Sequence, residues 1–433
     1  MTLRRAIILA PALLLALAPA AAAQDRNPQL LERARRLMRE VPLMDGHNDL
    51  PWQVRTGYAL RFDSVDIAKP QPALMTDIPR LRAGVVGGQF WSVYMPSSFA
   101  RHNAARAGLE QVDVVYRMAE RYPETFEIAR TADDVVRIHR SGKIASLMGL
   151  EGGHMIENSL PVLRSFHRLG VRYMTLTHSL NTDWADAATD SLQHGGLTRF
   201  GEEVVHEMNR LGMLVDLSHV SDSTMWDALR VTEAPVVFSH SSPRTFTRHP
   251  RNVPDDVLRA LGENGGVIMV TYVPSFIHQP NVDWNTARAE VRDRVLQATS
   301  DSLAAVDSVR AWTAAHPQPL PDIGVVADLI EHARDVTGVD HVGIGSDLDG
   351  IGATPVGLED VSTFPALIAE LLRRGWSDED AKKVIGANVL RMMREVEAVA
   401  ARLQRQLRPS VAQIEVLDGW ETAPPWREPA AMH

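Results

Sequence analysis

Short apolar runs alternate along the chain with longer stretches in which apolar residues return every three or four positions. The runs are 41–46 (VPLMDG), 88–95 (GQFWSVYM), 144–150 (IASLMGL), 171–177 (VRYMTLT), 212–218 (GMLVDLS), 235–239 (PVVFS), 266–272 (GVIMVTY) and 341–346 (HVGIGS). Nearly continuous apolar character bounded by Gly or polar residues is the pattern of a strand buried on both faces. Between the runs, 107–121, 159–169, 200–211, 222–231 and 255–263 keep apolar residues on one helical face. A helix is also predicted over 28–40, where Leu30, Leu31, Ala34, Leu37 and Met38 share a face. Strand followed by helix, eight times over, predicts an α/β fold of the (β/α)8 TIM-type barrel kind, because parallel strands need helical crossovers that then cover the sheet. A doubly wound open sheet satisfies the same alternation and is the rival architecture.

A barrel carries its chemistry where the strands end and the βα loops begin. The first run ends in His47 and Asp49, the third in Glu151, Gly152, Gly153 and His154, the fourth in His178, the fifth in His219, the sixth in His240 and the eighth in Asp347 and Asp349. Unpartnered, such groups at the end of a buried strand cost about 1–3 kcal/mol or more each, and a shared cation is one partner that satisfies several at once. His47 and Asp49 are two residues apart, so on an extended chain both point to one side and reach one ion. His219 and His240 end consecutive strands, which in a parallel sheet lie ~4.8 Å apart, and suit a second ion. Glu151 lies between them around the ring with two oxygens to share. Two metals about 3.5–4 Å apart hold a bridging hydroxide at neutral pH and polarise a carbonyl. A single His at a strand end is more often a hydrogen-bonded core or surface residue; five groups on four strand ends reverse that expectation. Most of His102, His139, His167, His194, His206, His249, His278, His316 and His332 are read as solvated, and His154 is left open.

Composition narrows the metal and the setting. The chain of 433 residues has no Cys, which removes disulfides, thiolate ligands and a Cys nucleophile, so any metal takes nitrogen and oxygen ligands. Zn²⁺ is the first choice, with Mn²⁺ and Co²⁺ allowed. Arg4 and Arg5, an apolar stretch from Ala6 to Ala18 and the alanines up to Ala23 read as a signal peptide over 1–23, too short in its apolar part for a membrane span. Export to the periplasm or the medium is expected, with no stable membrane anchor after cleavage. Losing Arg4 and Arg5 takes the formal net charge from −9 to −11, which argues against a nucleic-acid partner. One catalytic domain is expected over 24–408, followed by a C-terminal extension over 409–433 with Pro-containing, weakly periodic sequence.

The motifs DGHNDLPW (45–52), GLEGGH (149–154), YMTLTHSLNT (173–182), GMLVDLSHVS (212–221), VVFSHSSPR (236–244), HPRNVPDDVL (249–258), GIGSDLDG (343–350) and GANVLRMM (386–393) resemble, in order and over nearly the whole mature chain, the membrane (renal) dipeptidase family of zinc metallopeptidases. The resemblance implies a (β/α)8 barrel of the metal-dependent hydrolase kind with two zinc ions per chain. His47 and Asp49 would hold one, His219 and His240 the other, and Glu151 would bridge them. It further implies that His178 contacts the substrate and the tetrahedral oxyanion, that Arg251 binds the substrate carboxylate, and that Asp347 transfers the proton. An Arg fork suits a free carboxylate terminus; Arg244 in the same loop is its rival. Asp349 is read as structural, capping the Gly350 turn.

The reaction so implied is hydrolysis of dipeptides with free termini by a metal-bridging hydroxide. Acceptance of a D-residue at the C-terminal position, a β-lactam side activity and a homodimer follow from the resemblance alone. The polar C-terminus and the absence of Cys depart from animal members, which carry a lipid anchor and disulfides. The segment from Pro274 to about Pro321 is the least family-like part. Two rival functions are another binuclear-metal barrel hydrolase, such as a lactonase or cyclic-amide hydrolase, and a non-catalytic homologue that binds metal or peptide. The His47-Asn48-Asp49 opening favours the peptidase over the His-x-His of the other hydrolases.

Overall fold

A computed structural model describes residues 27–99 and 103–419. The predicted signal peptide, His102 and residues 420–433 of the predicted extension lie outside the described residues.

Among the described residues nine strands form: β1 (Leu43–Asn48), β2 (Val86–Tyr94), β3 (Phe126–Ile128), β4 (Ile144–Glu151), β5 (Val171–Thr175), β6 (Leu214–Asp216), β7 (Val237–Ser241), β8 (Val267–Val270) and β9 (Val342–Ile344). All pair in parallel in the order β2-β1-β9-β8-β7-β6-β5-β4, and pairing of β2 with β4 closes the ring. The eight predicted runs are the eight strands of this closed TIM barrel. The unpredicted β3 pairs with the start of β4, Phe126 against Ile144, on the edge that β5 occupies from Met148 onward. Glu127 between Phe126 and Ile128 breaks any apolar run there, and β3 extends the sheet below the barrel without entering the ring.

The outer helices fall where the periodicity places them, at Pro28–Glu40, Ala104–Arg121, Leu160–Arg168, Arg199–Leu211, Asp222–Val231 and Asp255–Asn264. Their ends are written in the sequence: the Asn27, Thr198 and Ser221 side chains accept from backbone N–H groups of the first turns, and Gly212 and Gly265 close two helices in the left-handed conformation. Inside the ring, Met44, Phe90, Leu147, Tyr173, Leu214, Val237, Val267 and Met269 fill the barrel as a packed core. Gly149 on β4 leaves room for the Tyr173 ring, which a methyl group there would strike.

Between β8 and β9 the chain leaves the barrel for a helical hairpin, Gln279–Thr299 and Ser302–Ala315, joined by Trp284 and Trp312, whose ring centroids are 5.5 Å apart. After the last long helix, Asn388–Gln406, the described part of the extension lies on Arg199–Leu211. There Ser410 donates to Glu203 and Glu207, Ile414 is buried, and Asp418 accepts from the Phe200 N–H. No described helix is long and apolar enough to cross a membrane.

Candidate metal centre and substrate site

Two buried carboxylates brace the strands that carry the site. Asp45, two residues before His47, accepts the N–H and the hydroxyl of Ser346, each at 2.7 Å, and the Gln89 side chain at 2.9 Å. Asp216 on β6 repeats the pattern, accepting the Ser239 N–H at 2.9 Å and its hydroxyl at 2.6 Å, the Thr175 hydroxyl at 2.6 Å and the Ser218 N–H at 3.0 Å. Each carboxylate ties its strand to both neighbours, which fixes the spacing of the ends above. Burial pushes Asp45 up to about 6 despite these donors.

On this frame the predicted ligands converge. Glu151 Oε2 lies 3.4 Å from His47 Nε2 and accepts the Ser92 hydroxyl at 3.0 Å. Its Oε1 lies 3.1 Å from His219 Nε2, 3.5 Å from His178 Nε2 and 3.6 Å from His240 Nε2. Asp49, where the chain turns from β1 into the helix Leu50–Tyr58, brings Oδ2 to 3.2 Å from His47 Nε2. Among the described residues, three overlapping groups of donor atoms could each hold an ion: His47, Glu151 and His240; Glu151, His178 and His219; His47, Asp49 and Asp347. His47, Asp49, Glu151, His219 and His240 are all less than a tenth exposed.

The electrostatics follow from that crowding. Burial opposes ionisation of Glu151, but His47, His219 and His178 hold its carboxyl well below the usual range. Burial likewise opposes charge on His47, yet Tyr173, Glu151 and Asp49 keep it well above an ordinary imidazole. His219 and His240 are driven well below, by burial first and then by Arg251 and neighbouring imidazoles. The centre is thus the Glu151 carboxylate ringed by four imidazoles, those of His47, His178, His219 and His240.

Asp347, Arg251 and His178 stand around this centre. Asp347 follows β9 with φ +64°, and its N–H donates to the His47 carbonyl at 3.1 Å. Burial, with Asp49 and Glu151 adding to it against His47, raises its carboxyl well above the usual range. Gly350 packs so closely on Asp49 and Asp347 that a Cβ would strike both carboxylates. Arg251 is 2 % exposed and reaches the His240 carbonyl and the Ser241 hydroxyl only at 3.3 and 3.4 Å; its Nε has no partner, and its guanidinium lies over Phe276. Burial lowers it to about 10, against the pull of Asp347 and Glu151, so it stays charged at neutral pH. The rival Arg244 forks onto the Asp222 carboxylate with two 2.6 Å bonds.

A family model described as membrane dipeptidase (peptidase family M19) matches residues 31–407. Dipeptidase verJ of Clonostachys rogersoniana is 44% identical over 385 residues, covering 86% of this chain and 89% of that protein. Dipeptidase 3 of Rattus norvegicus is 42% identical, covering 86% of this chain and 69% of that protein. The solved structure of the probable dipeptidase PvdM from Pseudomonas aeruginosa superposes with a TM-score of 0.75 at 24% identity, over 86% of this chain and 100% of that one. The chain belongs to the membrane dipeptidase family.

Within this membrane dipeptidase, the sequence carried the candidate ligands more plainly than the residues that brace them. Asp45 and Asp216 interrupt apolar runs just before His47 and His219, a signal that could have found them. Tyr173, whose hydroxyl meets His47 Nδ1 at 2.8 Å, carried no sequence mark. Tyr94 pairs with Glu151 across β2 and β4, and its ring lies 4.8 Å from His178 and 4.9 Å from Trp52.

Asp349, expected to cap the Gly350 turn, instead accepts from the Met75 N–H at 2.7 Å, while the Gly350 N–H donates to the Asp347 carbonyl. His154 is buried with Nε2 on the Met95 carbonyl at 2.9 Å, outside all three donor groups. His167 and His249 are half-buried, not solvated, and burial with nearby arginines lowers each to about 4.

Proposed function

We propose that this membrane dipeptidase is an exported binuclear zinc enzyme that hydrolyses dipeptides with free termini, tolerates a D-residue at the C-terminal position and works as a homodimer. The observation that carries the two-ion reading is the division of Glu151: Oε2 faces His47, while Oε1 faces His219, His240 and His178. The fit to cations is supported by His47 Nε2, which is buried and has no hydrogen-bond partner although carboxylate oxygens of Asp49 and Glu151 lie 3.2 and 3.4 Å away. Oxygens off the line of an N–H, around a nitrogen lone pair, suit a shared cation. His47 and Asp49 would hold one zinc, His219 and His240 the other, with Glu151 common to both.

Bound at such a centre, a zinc pair activates water and polarises the scissile carbonyl. The chain's own groups do the rest. Arg251 has N–H groups to spare and a charge of the right sign for the substrate carboxylate, which places the scissile bond one residue from that terminus. His178, whose Nδ1 contacts the Ser179 hydroxyl at 3.1 Å, presents Nε2 towards Glu151 and can donate to the carbonyl oxygen as it gains charge. Asp347, whose carboxylate shares a donor group with His47 and Asp49, accepts the proton of the attacking water and delivers it to the leaving amine.

The test is hydrolysis of L-Xaa-L-Yaa and L-Xaa-D-Yaa dipeptides before chelation, after it and after zinc is restored, beside N-blocked dipeptides, C-terminal amides, lactones and cyclic amides. Turnover of free dipeptides that disappears on chelation and returns with zinc is the expected result. Faster turnover of blocked dipeptides or lactones would defeat the proposal.

A further inference from the structure

Two imidazoles of the centre have their Nδ1 atoms held by hydroxyls whose own protons are already committed. Tyr173 stands inside the barrel with its hydroxyl 2.8 Å from His47 Nδ1 and 3.2 Å from the Gly46 carbonyl oxygen. A carbonyl only accepts, so the phenol donates there and receives the His47 Nδ1 proton. Ser239 lies with Oγ 2.6 Å from Asp216 Oδ2 and 2.8 Å from His240 Nδ1. Both Asp216 oxygens accept, from Thr175, Ser218 and Ser239, so the Ser239 hydroxyl donates there and receives the His240 Nδ1 proton. In both cases Nε2 is left to offer a lone pair on the side where Glu151 stands. His219 differs, because its Nδ1 is buried without a partner.

We infer that Tyr173 and Ser239 are positioning residues that fix the Nδ1–H tautomer and ring orientation of His47 and His240, and so set how tightly each of two cations is held. The inference rests on the two-metal reading given above and deepens it. It assigns the hydroxyls to different ions: Tyr173 acts through His47 on the ion shared with Asp49, and Ser239 through His240 on the ion shared with His219. An imidazole that ligates through Nε2 depends on its Nδ1 partner for basicity and orientation, and loss of that partner commonly weakens metal binding ~10–100-fold. Tyr173→Phe is a clean probe. It removes one oxygen and keeps the buried ring against Gly149 and Phe90. Ser239→Ala leaves Asp216 with the Thr175 hydroxyl and two backbone N–H groups.

The experiment uses the full chain, stripped of metal and titrated with zinc against a competing chromophoric chelator. Unfolding temperatures are recorded for the stripped and zinc-loaded forms. Wild type is expected to bind two ions. Tyr173→Phe is expected to weaken one of them ~10–100-fold and leave the other within about threefold, and Ser239→Ala to do the reverse. A structural role alone would lower the stripped and loaded unfolding temperatures together, whereas a positioning role reduces the increment that zinc adds. Wild-type constants for both ions in both variants would overturn the inference, as would an unchanged zinc increment. Should Tyr173→Phe not fold, Ser239→Ala decides by the same two readouts. Wild type that binds no zinc would instead overturn the two-metal reading itself.

Discussion

Nε2 of His219 lies 2.9 Å from Nε2 of His240, although 21 residues separate them and each ends a different strand. Two nitrogens on one tetrahedral zinc stand ~3.3 Å apart, so the pair is already close to the separation a shared ion requires. Glu151 Oε1 is within 3.6 Å of both. Glu151→Gln keeps the shape and removes the charge that both ions would share. Its activity is expected to fall more than ~100-fold with loss of bound metal, while circular dichroism stays that of the wild type. Wild-type zinc content in this variant would count against the bridging role.

Arg251 and Arg244 lie in one loop and are expected to separate in kinetics. Arg244 is engaged by Asp222, whereas Arg251 is buried beside the centre with its Nε unpartnered. A charge-assisted bond to substrate contributes about 1.5–3 kcal/mol, so Arg251→Met is expected to lower kcat/KM for free dipeptides ~10–100-fold, chiefly through KM. C-terminal amides, which lack the carboxylate, are expected to lose little. Arg244→Ala is expected to stay within about threefold of wild type. Equal losses on acids and amides would remove Arg251 from carboxylate recognition.

Gly350→Ala tests the close approach of backbone to site. The added methyl would strike the Asp49 and Asp347 carboxylates, and a displacement near 1 Å at reacting groups costs on the order of 100-fold. Activity is expected to drop by tens to a hundredfold with little change in unfolding temperature of the metal-stripped protein. Full activity would show that the carboxylates move aside freely.

His154 predicts a pH dependence of stability. Its Nε2 donates to the Met95 carbonyl, its Nδ1 is buried without a partner, and burial, with His178 adding, lowers it from 6.5 to about 4. Between those values the unfolded chain binds a proton that the folded chain does not. Stability is therefore lost as pH falls through this window, by at most about 3 kcal/mol. Urea unfolding of the metal-stripped protein from pH 7 to 4 is expected to show a shallower decline in His154→Gln than in wild type. Parallel curves would exclude His154 as a source of acid sensitivity.

Strands and helices were legible because burial on both faces of a parallel strand, and on one face of a helix, leaves a periodic trace in the chain itself. β3 left none, since Phe126 and Ile128 stand apart on either side of Glu127 with no apolar run around them. The five proposed ligands stood out because acids and imidazoles at the ends of apolar runs are costly unless used. Tyr173 could not stand out, since an aromatic inside a strand reads as core; its hydroxyl acquires meaning only when β1 is laid across the barrel from it.

The sequence by itself determined the order of strands and helices, the absence of sulfur ligands and the set of strand-end groups, because hydrophobic period and residue type are local properties. Tertiary structure alone decided that β2 pairs with β4 to close the ring, that Glu151 divides its oxygens between His47 and the other imidazoles, and that Arg251 rather than Arg244 faces them. Those outcomes depend on which distant residues share a few ångströms, and ring closure sets that distance.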